Sequence, residues 1–583
     1  MDTHKPFSKN KSKRNIINAY FWRMHTLKPG DAFLIKCALF CCVVFASLTV
    51  IHVSTEYAEK VAATGGMYTE GIIGTPRFVN PVLAITRADK DLTTLIYDGL
   101  MRLGTDGVVV PHIAESVTVS EDGMTYNVIL KQTVRFHDDT PLTARDVVFT
   151  FNRIQDPLLA SPLHGNFDGV RIEEIGEYEI NFVLPEAYAP FIENLTFGIL
   201  PEHIWKDVSS EEFLFSQYNT NPIGSGPYKI EHILHNASGI PESYTLTAFT
   251  DYHAGSPKIE TLELSFFSTE EKLQSSFTKG LIDGTAGVDT SRVTAYEIQN
   301  ETHHLERIPL PRTFAVFLNQ NKSAALRDIS ARKALDSAID REALTTEVLG
   351  GYGNPLYSPI PAGFGIDTTR ATNTPIGNID AARDILSTGG WKFNLDTQVW
   401  EKEIDKTTTA LTFSIATINN SAFEATAEFL RNSWERIGVP VTVKQFEQTD
   451  LTQAVIRPRD YEALLFGSQL GRTLDYFSFW HSSQRNDPGL NIALYANITT
   501  DSILSEIRRN SDIDAHTTAI QKFAEEIEKE TPAIFLFAPE LLYILPNHVE
   551  NAYFKGVGEP HERFMNIHHW YIETDSVWPF FKK

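Results

Sequence analysis

Cysteine is nearly absent from this chain and confined to one place. Of 583 residues three are Cys, at positions 37, 41 and 42, and none follows. Disulfides are therefore excluded from the rest of the polypeptide, which has to be held by a core. A chain of this length can bury one, divided between two or more lobes. Also missing are a glycine-rich phosphate loop, a Cys/His set at metal-binding spacing and a nucleophile elbow. No internal repeat or long low-complexity tract is present. His137, Asp138 and Asp139 stand in a row, but contiguous side chains at a strand-to-turn junction diverge, and Asp-Asp-Thr-Pro is turn chemistry. The pairs His303–His304 and His568–His569 suit a single ion equally poorly. No catalytic residue, metal site or cofactor is expected. Positive charge is scarce as well: after Val53, 43 Lys/Arg face 72 Asp/Glu, within a whole-chain net charge of −23. That balance argues against nucleic acid and anionic lipid headgroups as partners, and solubility of a secreted protein is its simplest account.

Against these absences stands one long apolar run, Ala32–Val53, broken only by Lys36 and His52. Its 22 residues exceed the ~20 that cross a bilayer as a helix. Residues 1–30 carry seven Lys/Arg and a single acid, Asp2. Basic flanks stay cytoplasmic, so everything after the run is expected outside the membrane. The small-residue site Val61–Ala63 lies beyond Glu56, Glu59 and Lys60, too far out for signal cleavage. The expectation is an uncleaved, single-pass signal anchor in the cell membrane, with a periplasmic or cell-surface C-terminal domain.

Strand and helix patterns alternate beyond the run, which makes the class α/β. Tyr126, Val128 and Leu130 alternate with polar residues, and Asp122-Gly123 before them is a hairpin turn. A helix follows Thr143 as N-cap, with Asp146 in its first turn. Ser421 and Glu424 form a capping box ahead of Phe423, Ala427, Leu430, Trp434 and Ile437, and Gly438 with Pro440 ends that helix. Val439, Val441 and Val443 then read as a strand. Asp340 caps a helix that runs to Gly350.

The segment 111–157, PHIAESVTVSEDGMTYNVILKQTVRFHDDTPLTARDVVFTFNRIQDP, resembles the signature of the family 5 extracellular solute-binding proteins of ABC importers, the oligopeptide, dipeptide and nickel group. Four further blocks match in order: NPIGSGPYKI (221–230), ISARKALDSAIDREAL (329–344), FWHSSQ (479–484) and TPAIFLF (531–537). The FWHSSQ block is closer to the peptide-binding branch. The resemblance implies a periplasmic-binding-protein type II fold, a two-lobed clam with an inserted domain. After a basic N-terminus (1–31), the membrane helix (32–53) and a polar tether (54–64), lobe I would comprise 65–108, 222–312 and 535–583. The inserted domain would be 109–221 and lobe II 313–534, with crossovers near Pro222, Arg312 and Pro532.

The same resemblance implies a ligand between the lobes. Candidate contacts are Phe314 and Asn319 on the strand Phe314–Leu318, Ser468 and Leu470 in the stretch Gly467–Asp475, and Trp480 and Ser482 in FWHSSQ. Asn319 sits where a strand end feeds a loop. Trp480 either stacks on ligand or fills the lobe core, and Ser482 either donates to ligand or makes a turn. Gly224, Gly226 and Pro227 are candidate hinge residues or an ordinary rigid crossover, the glycines permitting positive φ. Peptide-binding members commonly hold the ligand's amino terminus with an Asp just before this block. Here Asp475 matches a later, structural acid, and the anchoring position is read as uncharged. The reading is a membrane-anchored solute-binding subunit, not an enzyme, that delivers oligopeptides to ABC permease subunits with cytoplasmic ATPases. The alternatives are an anchored hydrolase, a sensor or adhesion protein, and a binder of a metal chelate or sugar with the same fold.

Overall fold

The run Ala533–Pro546 is apolar at nearly every position, a pattern that is stable as a strand only where both faces are covered. In the computed structural model, which describes residues 28–57, 59–298, 301–364, 366, 377–510 and 512–577, it forms one 14-residue strand buried everywhere except at Pro539 and Glu540. Those two positions mark a change of neighbours. Ala533–Phe537 pairs with Arg312–Leu318, whereas Glu540–Pro546 pairs with His303–Pro309 and, at Tyr543 and Ile544, with Gly284–Ala286. The strand thus passes through both halves of a 12-stranded sheet. On one side lie Val441–Phe446, Phe413–Ile418, Ala463–Gln469 and Arg312–Leu318. On the other lie Gly284–Ala286, Met67–Ile73, Thr261–Phe267, Pro241–Ala248 and Tyr228–His235.

A separate four-stranded antiparallel sheet occupies Ala114–Val183, in the order Ala114–Val119, Thr125–Leu130, Glu179–Val183, Arg171–Gly176. Its first hairpin turns at Gly123, whose φ of 72° needs a glycine, and Asp122 Oδ1 accepts from Met124 N at 3.0 Å. Helix Ala144–Gln155 packs there through Val147, Phe151 and Ile154. The Asp146 carboxylate accepts from Thr143 N at 2.8 Å, closing the helix start.

Helix Ser421–Arg436 buries Ala427, Leu430 and Trp434. Its N-cap is Asn420 rather than Ser421, because the Asn420 side chain reaches Ala422 N at 3.0 Å. The following strand begins at Val441, since Gly438 turns the chain at φ 88°. Asp340 caps Arg341–Leu349 through Ala343 N at 3.0 Å, and Gly350 ends that helix in the left-handed region.

A buried ion cluster ties distant segments together. Arg563 lies 2.6 Å from Glu70 and 2.7 Å from Asp91, all three side chains being fully buried. Strand Met67–Ile73, helix Arg87–Ile96 and the turn Pro560–Phe564 are joined in this way. Breaking one partner of such a cluster costs about 3–5 kcal/mol.

The chain divides into two units, of which Thr64–Ile572 is the one just described. The other contains helix Pro29–Tyr57 and an antiparallel pair, Glu59–Ala62 with Thr574–Val577. Where a polar tether was expected over 54–64, the chain ends this helix and then pairs with its own C-terminal segment. That long-range partner leaves no local pattern. Among the described residues no helix is long and apolar enough to cross a membrane. Side chains of helix Pro29–Tyr57 are described without a break over Phe33–Thr49, and all of them are exposed. The basic segment 1–27 lies outside the described residues.

Candidate functional site

A cleft of about 550 Å³ opens where four separated segments meet. Helix Arg87–Ile96 and the segment after it supply Lys90, Asp98 and Arg102, with His112 behind them. The segment 193–198 supplies Glu193. The loop after strand Ala463–Gln469 supplies Leu470, Gly471 and Arg472, and the C-terminal segment supplies Glu559, His561 and Glu562. Most come from the ends of helices and strands or from short turns, Lys90 from within helix Arg87–Ile96 and Arg102 from strand Met101–Leu103, so that a rigid frame presents the polar groups.

Arg472 is the central cation. Its Nη1 donates to Glu562 Oε1, and its Nε lies 3.8 Å from Glu193 Oε1. Glu562 is itself held by Gly558 N at 2.6 Å and Glu559 N at 3.1 Å. Burial raises the Glu193 carboxyl to about 7, against the pull of Arg472 and with a further push from Glu562. Burial also pushes Glu559 up, but His561 and Lys90 outweigh it and hold that carboxyl below the usual carboxylate range. Glu193, Glu559 and Glu562 thus each have a cation beside them. Asp475 faces away from this set, clasped by Arg508 at 2.8 Å with the Tyr188 hydroxyl donating to it at 3.3 Å.

The residues expected from sequence are dispersed. Leu470 lines the cleft, and so does Pro227. Ser468 faces its cross-strand neighbour instead, Oγ to Thr313 Oγ1 at 2.7 Å. Phe314 stacks on Phe537 at 5.2 Å. Trp480 is buried among Phe317, Phe535 and Phe523, which is the core-filling reading of that residue. Ser482 donates to Asp501 through both its backbone N–H and its hydroxyl, which pins the loop to helix Ile498–Arg509. Asn319 is fully buried, donating to Arg459 O at 3.1 Å and accepting from Asn321 N at 3.1 Å. The antiparallel register explains its position. Arg312 pairs with Gln469 at the cleft and Leu318 with Ala463, so Asn319 lies at the other end of the strand, roughly 20 Å away at ~3.3 Å per residue.

Gly224 and Gly226 are not in the left-handed region. Both lie so close to the end of helix Arg87–Ile96 that a Cβ on Gly224 would sit 2.0 Å from Ile96 O, and one on Gly226 2.6 Å from Ile96 C. Gly226 N donates to Ile96 O at 2.8 Å, and His137 Nε2 lies 3.0 Å from Gly226 O. Close approach of backbones is thus what these glycines serve. His137 points here while Asp138 points to His203 at 2.8 Å, so the His-Asp-Asp row diverges.

Sequence reasoning missed Glu193, Arg472, Glu559 and Glu562. The resemblance implies an uncharged residue at the anchoring position within 467–475; the structure puts Arg472 of that stretch into the cleft, already paired with Glu562. Its charge was the one available signal. The three acids stand in segments with no motif.

A family model for the bacterial extracellular solute-binding proteins, family 5 Middle, matches residues 108–489. The chain is 26% identical over 538 residues to the oligopeptide-binding protein AppA of Bacillus subtilis (strain 168), spanning 89% of this chain and 94% of that one. The structure of AppA in complex with a nonapeptide is similar with a TM-score of 0.63 at 25% identity, covering 88% of this chain and 100% of AppA. The ABC transporter substrate binding protein CtaP of Listeria monocytogenes is similar with a TM-score of 0.72 at 25% identity, over 87% of this chain and 99% of CtaP.

Proposed function

This chain belongs to the bacterial extracellular solute-binding proteins, family 5, and on that premise we propose that it captures oligopeptides in the cleft and hands them to the permease of an ABC importer. Its α/β fold is the periplasmic-binding-protein type II fold of AppA. The observation that carries the peptide reading is the cleft itself: about 550 Å³, between separately built segments, with Lys90 and Arg472 of its rim already paired to Glu559, Glu562 and Glu193. Such a site suits a ligand held by its main chain, with side chains in watered space. No residue of the cleft is assigned a catalytic role. The lobes proposed are 65–108, 222–312 and a C-terminal segment against 313–534, with 109–221 inserted; the sequence put that segment at 535–583, but the described residues after Ile572 fall in the other unit. The handover between them is drawn to the change of partner at Pro539–Glu540.

The protein is further proposed to be tethered by helix Pro29–Tyr57. Support comes from Phe33, Leu34, Phe40, Val43, Phe45 and Leu48, all exposed on a helix that is apolar all round, which water solvates poorly and lipid accepts. The basic residues before it would stay cytoplasmic. The test uses the full chain extracted in detergent. Mass spectrometry of co-purified ligand should return peptides, and adding them to stripped protein should stabilise it by ~2.7 kcal/mol at 100 times Kd, seen as a higher melting temperature. Stabilisation by a sugar or a metal chelate and by no peptide would overturn the ligand class. Release of the protein from membranes by alkaline carbonate would overturn the tether.

A further inference from the structure

At the floor of the cleft three side chains converge from separate segments. Asp98 follows helix Arg87–Ile96, His112 follows strand Val109–Pro111, and His253 lies beyond strand Pro241–Ala248. His112 Nε2 is 2.9 Å from Asp98 Oδ1, and His253 Nε2 is 3.0 Å from Oδ2. The Tyr252 hydroxyl is 3.1 Å from Asp98 Oδ1 and 2.9 Å from His112 Nε2. One donor atom from each of Asp98, His112 and His253 lies within 4.8 Å of the others. The three side chains are 7%, 3% and 1% exposed.

The electrostatics of the cluster are incomplete. Among the described residues, Asp98 has only imidazoles at ion-pair distance. The Arg102 guanidinium, whose charge His112 feels, is engaged by His568 Nε2 at 2.9 Å. A buried carboxylate without a cation against it is costly. His253 Nε2 carries the proton that faces Asp98 Oδ2, but its Nδ1 makes no hydrogen bond, so a cation that displaces the Nε2 proton breaks no other contact of the ring. The proton can sit on Nδ1 and leave Nε2 free as a ligand.

We propose that Asp98, His112 and His253 form a binding site for one divalent transition cation of the zinc, cobalt and nickel class, with Tyr252 or water in the fourth position. Two imidazoles and one carboxylate suit such borderline ions, whereas calcium and magnesium favour all-oxygen sets. Metal–ligand bonds of ~2.0–2.1 Å place tetrahedral donors roughly 3.3 Å apart, so the contacts of 2.9 and 3.0 Å, one to each carboxylate oxygen, open slightly while the imidazole nitrogens, within 4.8 Å of each other, draw together. Asp98 and His112 also line the cleft, which provides the entry path. The site stands independently of whether the cleft takes peptides.

The test is cobalt(II) titration of the full-length protein in detergent after chelator stripping. One equivalent should develop the intense visible bands of tetrahedral cobalt, zinc should abolish them, and zinc should raise the melting temperature. Asp98→Asn and His253→Gln should lose the bands and bind more than ~100-fold more weakly, beyond the ~10–100-fold cost of altering residues behind a ligand. His235→Ala, at an exposed histidine, should bind as wild type does. Should Asp98→Asn fail to fold, His253→Gln with a wild-type far-ultraviolet spectrum decides. Absence of bands and of a zinc-dependent melting shift in the wild type overturns the proposal, as do bands that persist in folded His253→Gln. Peptide binding by the same stripped protein reports separately on transport.

Discussion

Glu193→Gln reads the cleft through its most perturbed carboxyl. Burial between Arg472 and Glu562 lifts Glu193 from its ordinary 4.5 to about 7. At ~1.4 kcal/mol per pH unit, that interval corresponds to roughly 3 kcal/mol against the ionised form. The folded value lies above the unfolded one. The stabilising contribution is therefore complete below pH 4.5 and is lost as pH rises to about 7, where the folded chain holds a proton that the unfolded chain has released. Gln mimics the neutral acid at every pH. The variant should match the wild type near pH 4.5 and exceed it by up to ~3 kcal/mol above pH 7. Rehydrating Glu193 by opening the cleft caps that gain at the cost of opening. Melting temperatures of the two full-length proteins, measured side by side from pH 4.5 to 8, isolate the effect because every other titrating group is common to both. A stability difference that does not change with pH refutes the argument.

Arg563→Met should cost about 3–5 kcal/mol, seen as a lower denaturant midpoint, because it leaves Glu70 and Asp91 buried without their shared cation. Adding Glu70→Gln and Asp91→Asn should restore most of the loss. Gly224→Ala should destabilise by ~1–3 kcal/mol, since its Cβ would meet Ile96 O at 2.0 Å; a neutral result would mean that the crossover yields freely. Acetylating the amino terminus of a bound peptide should cost well under the ~2–5 kcal/mol of a broken buried charge pair, as calorimetry can measure, because the rim acids already have partners.

What was legible in the sequence was local. Thr143 with Asp146, Asp340 with Gly350 and Asp122-Gly123 act within a few residues, and each forms the element its spacing implies. Even there the cap slipped by one residue, to Asn420, since Asn accepts a backbone N–H as readily as Ser. The cleft is not local. Glu193, Arg472 and Glu562 are brought together by pairing across hundreds of residues, and none has a neighbour in sequence that announces it. Asn319 illustrates the same limit from the other side. A polar residue at a strand end was identifiable, but which end faces the cleft depends on the register of Arg312–Leu318 against Ala463–Gln469.

The pairing of charges within the cleft bears on selectivity. An unpaired acid or guanidinium facing a closed site would reward one ligand charge and penalise the other by several kcal/mol. Along the rim Arg472 is taken by Glu562 and Lys90 by Glu559, and Glu193 is half-protonated near pH 7, while Asp98 and Arg102, which also line the cleft, face imidazoles rather than an opposite charge. Such a rim charges little penalty to either sign of ligand side chain. On the proposed reading, discrimination then falls to the main chain and to length, because a cleft of about 550 Å³ bounded by packed backbone at Gly224–Pro227 cannot lengthen without opening.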